Sequence, residues 1–132
     1  MSKLMSGPIG KPPVLPNGAR IPLSPAYAAD NLIFLSGQLG FDANTKIVDG
    51  GISAQTTQCL SNIEQLLSDN GAAKRDIIKA TVWLVRKEDF AAFNQAYSEF
   101  FGDHLPARSC VCSELLVEGA LVEIEVVALV KD

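Results

Sequence analysis

Two segments of the sequence repeat apolar residues at helical spacing, which is typical of amphipathic helices that pack against another layer. The first segment carries its apolar face at Ile52, Thr56, Cys59, Leu60, Ile63, Leu66 and Leu67. The second segment carries its apolar face at Phe90, Phe93, Tyr97 and Phe100. We predict Ser53 as the N-cap of the first helix, Asn70-Gly71 as its end, and Gly102 as the end of the second helix.

Short segments rich in β-branched and other apolar residues surround these helices and predict strands. They cover residues 21–28, 32–38 and 46–48 before the first helix, 77–85 between the helices, and 107–113 and 121–130 after the second helix. The order β-β-β-α-β-α-β-β indicates an α+β fold, in which both helices pack on one face of a mixed sheet. The other face then needs cover, and self-association is the simplest way to supply it.

Length and composition predict a single domain. A chain of 132 residues, 48% of them hydrophobic, is long enough for one sizeable core and short for two. The Pro- and Gly-rich start predicts a flexible N-terminal arm at residues 1–13, followed by one domain at residues 14–132. No apolar run approaches the roughly 20 residues of a membrane helix, and no signal-peptide pattern is present. We therefore expect no membrane partner and a cytoplasmic location, although the arm is also compatible with an organelle such as the mitochondrion.

Charge and cysteine usage argue against several function classes. The formal net charge is −4 and the lysines and arginines are scattered, so we expect no nucleic-acid partner. The three cysteines lack the spacing of a disulfide framework, so we expect reduced thiols. His104 is the only histidine, which leaves a zinc site short of ligands, and we expect no metal.

Charged side chains within the last two predicted strands are candidate functional residues. Strand alternation places Arg108 and Cys110 on one side of their strand, and Glu123 and Glu125 on one side of the next. Each charge lies among apolar neighbours, where a charge needs a partner or a hydrated pocket. The pattern fits either surface ion pairs or a binding site, and it does not fix whether Arg108 faces Glu123. Cys110 also fits a small buried apolar residue.

Other polar residues have structural interpretations as well. Ser36 and Gly37 fit a strand end with a bulge or a tight bend. Asn94 fits the polar face of the second helix. Leu23 and Ser24 fit the lead-in to a strand with a proline turn. Pattern alone therefore assigns none of these residues to a site.

Several short motifs nevertheless occur together along the chain. They are Ser24-Pro25-Ala26, Phe34-Leu35-Ser36-Gly37-Gln38, Gln55-Thr56 with Asn62-Ile63, Phe93-Asn94 with Tyr97, Pro106-Ala107-Arg108-Ser109-Cys110-Val111 and Val122-Glu123-Ile124-Glu125. In combination they closely resemble the RidA/YjgF family of reactive-intermediate imine and enamine deaminases, also labelled endoribonuclease L-PSP. The resemblance covers residues 21–130, with the spacing from the arginine motif to the Glu-Ile-Glu motif as its most specific part.

This resemblance implies a chorismate-mutase-like fold assembled as a homotrimer, with ligand clefts at the subunit interfaces. It implies hydrolysis of 2-imino acids, or their enamine tautomers, to 2-keto acids and ammonia without cofactor or metal. A small 2-imino or 2-keto acid is then the expected ligand. Two alternatives stay open: a non-catalytic regulatory protein that binds small carboxylates, and a ribonuclease or translation inhibitor, against which the acidic charge argues.

The resemblance also implies roles for individual residues. Arg108 would pair with the substrate carboxylate through two hydrogen bonds, which suits the planar guanidinium group. Glu123 would position or activate the water that attacks the C2 carbon. The residues expected to bind the substrate are Ser36, Gly37, Asn94 and Cys110.

One position departs from the family pattern. Deaminating members usually carry a tyrosine before the Ser-Pro-like segment, whereas this chain has Leu23. The hydroxyl group of that tyrosine could bind water or substrate, and its replacement makes this part of the pocket more apolar. Leu23 therefore bears directly on substrate preference and on activity.

Overall fold

A computed structural model describes residues 6–131 and shows one six-stranded mixed sheet with two α-helices. The strands are β1 (Gly7–Ile9), β2 (Ala26–Ala29), β3 (Leu32–Leu35), β4 (Ile77–Leu84), β5 (Ala107–Cys112) and β6 (Val122–Leu129). The helices are α1 (Gly51–Ser68) and α2 (Phe90–Phe101). The strand order is β1-β2-β3-β6-β4-β5, in which β4 and β5 are parallel and the other neighbours antiparallel. The predicted α+β fold is confirmed.

The core lies between the two helices and one face of the sheet. Strand β6 shows why, because its residues alternate between buried and half-buried along its whole length. Val122, Ile124, Val126 and Ala128 are buried in the core. Glu123 and Glu125 occupy the intervening positions, so the predicted division of this strand into an apolar and an acidic side is confirmed.

The opposite side of the sheet, called here the open face, carries large apolar side chains that no element of the described chain covers. Tyr27 and Phe34 are directly opposite each other on β2 and β3, and Val127 of β6 continues the same row. Tyr27 is 51% exposed and Phe34 is 43% exposed. None of the helices within residues 6–131 is long and apolar enough to cross a membrane.

Two predicted segments differ from the structure near the N-terminus. The proposed flexible arm at residues 1–13 extends over β1, which pairs with residues 26–28 of β2. Residues 1–5 of that arm lie outside the described part of the chain. The strand predicted at 46–48 is reduced to an isolated bridge between Phe41 and Ile47. For β1, pairing with a distant segment decides the structure, which local composition does not reveal.

The start of α1 also differs from the prediction. Ser53 was expected as the N-cap, but the helix begins at Gly51 and Gly50 takes the N-cap position. Gly50 has φ 114° and Gly51 has φ 75°, a left-handed conformation that favours glycine and turns the chain sharply into the helix. The predicted end of α2 at Gly102 is confirmed, since Gly102 is its C-cap residue.

Candidate functional site

Arg108 lies on the helix-facing side of β5, over the aromatic stripe of α2. It is opposite Ala80 of β4, a fully buried core residue, which fixes the side of the sheet to which Arg108 belongs. Its Nη1 donates a hydrogen bond to Oδ1 of Asn94 at 2.9 Å. Its guanidinium carbon lies 4.9 Å from the ring centroid of Tyr97 and 5.5 Å from that of Phe93. Asn94 therefore belongs to the surroundings of Arg108 and is more than a polar surface residue.

Cys110 follows on the same side of β5 and is half-buried. Burial raises the pKa of its thiol above the ordinary value, and the neighbouring Arg108 only partly opposes this shift. A thiol with a raised pKa is a poor nucleophile near neutral pH. We call Arg108, Asn94, Cys110 and Tyr97 the arginine half-site.

Glu123 lies on the open face and packs against the backbone of Gly37. A Cβ atom added at Gly37 would lie 2.9 Å from Cδ of Glu123, so any larger residue would displace the carboxyl group. Gly37 is held there because Gln38 and Ile124 exchange two backbone hydrogen bonds, of 2.7 and 3.0 Å. The glycine is therefore required for close approach between the end of β3 and the carboxyl group.

Ser36 completes this second group of residues. Its hydroxyl donates a hydrogen bond of 2.7 Å to the carbonyl oxygen of Ser24, and its N–H donates to the carbonyl oxygen of Pro25. Ser36 and Ser24 line an open cavity of about 450 Å³ that also contacts Glu125. We call Ser36, Gly37 and Glu123 the glutamate half-site. Leu23 directly precedes Ser24 in the chain and is 36% exposed.

The electrostatic state of Glu123 follows from its surroundings. Burial raises the pKa of its carboxyl group, and the nearby carboxylate of Glu125 raises it further. A carboxylate with a raised pKa is a stronger base than one in water, which suits proton transfer from a bound water molecule.

The two half-sites are on opposite faces of the sheet within one chain. Strand β4 separates β5 from β6, so that Ala80 is paired with Arg108 on one side and with Val126 on the other. Trp83 is paired with Glu123 and, on its other side, with Val111. Arg108 and Glu123 therefore point away from each other and lie at different levels of the sheet. The structure brings together Arg108, Asn94 and Cys110, and separately Ser36, Gly37 and Glu123.

Some contributors to these groups were not expected as functional residues. Phe93 and Tyr97 belong to the predicted helix stripe and to the motifs of the resemblance, without an assigned role there, yet they support the guanidinium group of Arg108. The usable signal was an aromatic stripe on the helix directly before the arginine strand. Within residues 6–131, no group of three or more His, Cys, Asp or Glu side chains is arranged to hold a metal ion.

Known proteins with similar sequences include several named deaminases. The chain is 39% identical over 108 residues to the 2-iminobutanoate/2-iminopropanoate deaminase of Capra hircus, covering 81% of this chain and 79% of the relative. It is 39% identical over 119 residues to the 3-aminoacrylate deaminase RutC of Acinetobacter baylyi, covering 87% and 94%. It is 38% identical over 125 residues to the mitochondrial protein mmf1 of Schizosaccharomyces pombe, covering 92% and 75%.

Solved structures of related proteins have the same fold. Yeast Mmf1 superposes with a TM-score of 0.84 at 32% identity, covering 96% of this chain and 100% of that one. The E. coli protein TdcF, solved with bound serine, superposes with a TM-score of 0.79 at 30% identity, covering 86% and 91%. The family model described as endoribonuclease L-PSP matches residues 16–130. This chain therefore belongs to the endoribonuclease L-PSP family, also called the RidA/YjgF family, whose members include imine and enamine deaminases.

Proposed function

We propose that the protein hydrolyses 2-imino acids, or their enamine tautomers, to 2-keto acids and ammonia. The observation that carries this proposal is the pair of half-sites: one offers a cation for a carboxylate, and the other offers a desolvated carboxylate for proton transfer. Relatives named as deaminases of such compounds support the same chemistry. The reaction adds one water molecule at C2 and releases the nitrogen as ammonia.

Arg108 is assigned to the carboxylate of the substrate. Within residues 6–131 its side chain donates one hydrogen bond, to Asn94, which leaves further N–H groups of the guanidinium for a ligand. The bond to Asn94 and the aromatic rings of Phe93 and Tyr97 limit the rotation of the guanidinium group. A fixed guanidinium binds a carboxylate at a low cost in conformational entropy, and with two parallel hydrogen bonds.

Glu123 is assigned to the water molecule. Its raised pKa makes the carboxylate more basic, so that it accepts a proton as water attacks C2. The same proton can then pass to the departing nitrogen. Gly37 lies against the carboxyl group of Glu123, and Ser36 lines the cavity that Glu125 also borders.

The complete site is proposed to form between copies of the chain in a homotrimer. Arg108 and Glu123 lie on opposite faces of one sheet, so a single chain cannot place both on one small substrate. The open face, with Tyr27 and Phe34, is the surface that another copy would cover. A cleft between two copies would combine the arginine half-site of one with the glutamate half-site of the next.

The activity is tested with freshly generated 2-imino acids and measurement of the 2-keto acid formed. Wild type is expected to exceed the uncatalysed rate, and Arg108→Ala is expected to lower kcat/KM about 100-fold, because two charge-assisted hydrogen bonds are lost. Arg75→Ala, at an exposed arginine outside both half-sites, serves as the matched control and should retain the wild-type rate. Equal rates for wild type and Arg108→Ala would contradict the proposal.

The shared site is tested by complementation. Arg108→Ala and Glu123→Ala are each expected to lose nearly all activity when they are expressed alone. Chains of the two kinds, expressed together with different tags and purified as mixed oligomers, would assemble some sites with an intact Arg108 and an intact Glu123. A mixed trimer holds two chains of one kind and one of the other, so one of its three sites is intact and about a third of wild-type activity is expected. Mixed oligomers without activity would show that the two residues act within one chain or not at all.

Leu23 favours a second candidate function, binding of a small carboxylate without turnover. The position that precedes Ser24 carries no hydroxyl group in this chain. The related protein TdcF was solved with bound serine, so a family member does bind a small carboxylate. Calorimetric binding of 2-ketobutyrate that is lost in Arg108→Ala, without turnover of imino acids, would favour this function. A gain of turnover in Leu23→Tyr would show that the missing hydroxyl limits the chemistry.

The cellular location is a separate proposal. We propose the cytoplasm, as the sequence predicts, while the relatives named Mmf1 are described as mitochondrial. Microscopy of the tagged full-length chain distinguishes the two compartments.

A further inference from the structure

A small, open, mainly apolar cavity lies beside the arginine half-site. Its volume is about 170 Å³ and its lining residues are Leu84, Lys87, Phe90, Cys110, Val111 and Cys112. Phe90 of this lining also lies beside the arginine half-site, because its ring centroid is 5.9 Å from the guanidinium carbon of Arg108. Cys110 is itself part of that half-site, since it follows Arg108 on the same side of β5. The cavity therefore adjoins the arginine half-site through Phe90 and Cys110.

The distance along the strand suits a small amino-acid skeleton. Residues two positions apart in a strand are separated by about 6.6 Å, so Cys110 begins the cavity roughly one amino-acid length from Arg108. A carboxylate held by Arg108 would have its C2 carbon and its side chain within reach of the cavity mouth. The reacting C2 carbon would stay outside the cavity, where Glu123 of another copy could reach it.

The lining selects for apolar groups. Five of the six lining residues carry no charge, and the sixth, Lys87, has an exposed side chain that can keep its ammonium group in water. An apolar protein cavity of about 150 Å³ is sufficient to bind benzene. A cavity of about 170 Å³ thus fits a branched aliphatic or a phenyl group and is left largely empty by a methyl group.

We propose that this cavity receives the side chain of the substrate, and that the preferred substrates are 2-imino acids with large apolar side chains. The proposal rests on the proposed function for the position of the carboxylate, and it adds the substrate class. Each additional buried methylene group contributes about 0.8 kcal/mol to binding, so the leucine-derived imino acid is expected to exceed the alanine-derived one about 50-fold in kcat/KM.

The test measures both binding and turnover, so that the two proposals can fail separately. Calorimetry compares the affinity of the protein for pyruvate, 4-methyl-2-oxopentanoate, phenylpyruvate and oxaloacetate. Turnover is measured on the imino acids that correspond to alanine, leucine, phenylalanine and aspartate. Tight binding of the two large apolar keto acids without any turnover would support the cavity assignment and contradict the deaminase function. Turnover with equal kcat/KM for the alanine- and leucine-derived substrates would support the deaminase function and contradict the cavity assignment.

Variants that fill the cavity test whether the substrate preference arises from this cavity. Cys112→Phe is expected to lower the ratio of leucine- to alanine-derived kcat/KM at least tenfold, because a phenyl ring occupies the space. Cys112→Leu is a smaller filling variant for use if the first does not fold. Ser61→Phe, at an exposed position of α1, is the matched control and should leave the ratio unchanged.

Two outcomes would overturn the assignment of this cavity. The first is a substrate ratio that neither Cys112 variant changes, although both variants fold as judged by Tm. The second is a preference for oxaloacetate that Lys87→Met abolishes, because the cavity would then recognise a second carboxylate instead of an apolar group.

Discussion

The carboxyl group of Glu123 is half-buried against Gly37, with a second carboxylate, that of Glu125, on the same side of β6. Both burial and Glu125 disfavour the charged form and raise the pKa of Glu123. A carboxyl group whose pKa is higher in the folded than in the unfolded state stabilises the fold when it is protonated. That contribution is fully present below the ordinary pKa of 4.5 and is lost as the pH rises through the raised value.

Replacing Glu123 by glutamine is therefore expected to raise Tm at about pH 7 and to leave it nearly unchanged at about pH 4. Glutamine keeps the shape of the side chain but carries no charge at either pH. Thermal unfolding at the two pH values measures the effect, and Glu88→Gln at an exposed position is the control. A wild type that is the more stable protein at neutral pH would contradict this prediction.

Helix α1 is connected to the start of β6 by one buried side chain. Nε2 of Gln55 donates a hydrogen bond of 3.0 Å to the carbonyl oxygen of Gly119, and its Oε1 accepts one of 2.8 Å from the N–H of Leu121. Gln55 thus fixes the loop that leads into the strand carrying Glu123. The neighbouring Thr56 is equally buried, but its hydroxyl has no hydrogen-bond partner among the described residues.

These two adjacent residues are expected to respond oppositely to removal of their polar groups. Gln55→Leu removes the hydrogen bonds of the carbonyl of Gly119 and the N–H of Leu121, which are part-buried, and should lower the free energy of unfolding by about 1–3 kcal/mol. Thr56→Val removes an unpaired hydroxyl at nearly constant volume, and should be neutral or stabilising. Urea unfolding of both variants measures the two changes in the free energy of unfolding. A larger loss of this free energy for Thr56→Val than for Gln55→Leu would contradict the prediction.

The helices and long strands were predictable because their patterns are local. The stripe of α1, the aromatic stripe of α2 and the alternation along β6 each reflect burial by one layer. The short edge strand β1 was not predictable, because Gly7–Ile9 acquires its conformation by pairing with a segment that follows it by more than a dozen residues. The glycine pair at the start of α1, Gly50 and Gly51, was missed since a serine is the commoner N-cap.

The candidate residues of the site could be predicted from the sequence, but their positions relative to one another could not. The motifs that resemble the family singled out Arg108 and Glu123, and alternation along each strand was correct. Their relation depended on strand order, since β4 is inserted between β5 and β6. That order is set by long-range pairing, so the opposite orientation of the two residues could only come from the structure.

The open face leads us to expect that copies of the chain associate in solution. Tyr27, Phe34 and Val127 form a continuous cross-strand row of apolar side chains on it. A row of this kind on one surface of a soluble domain marks a contact with another molecule. Three copies arranged around an axis would cover the three open faces together.

Sedimentation of the wild type is expected to give three times the 14.1 kDa mass of one chain. Phe34→Glu places a charge within the apolar row and should shift the protein towards the mass of one chain, with loss of activity. Ser61→Glu, on the exposed side of α1, should remain trimeric. Wild-type protein that sediments with the mass of one chain would contradict both the assembly and the shared site.

The strand β1 ends the sheet on one side, and it is only three residues long with Pro8 at its centre. A proline has no N–H to donate, so this edge offers little to another extended chain and resists edge-to-edge aggregation. The other edge of the described sheet is β5, whose six residues all carry an N–H. An extended peptide designed to pair with this sheet would therefore bind along β5, directly beside Arg108.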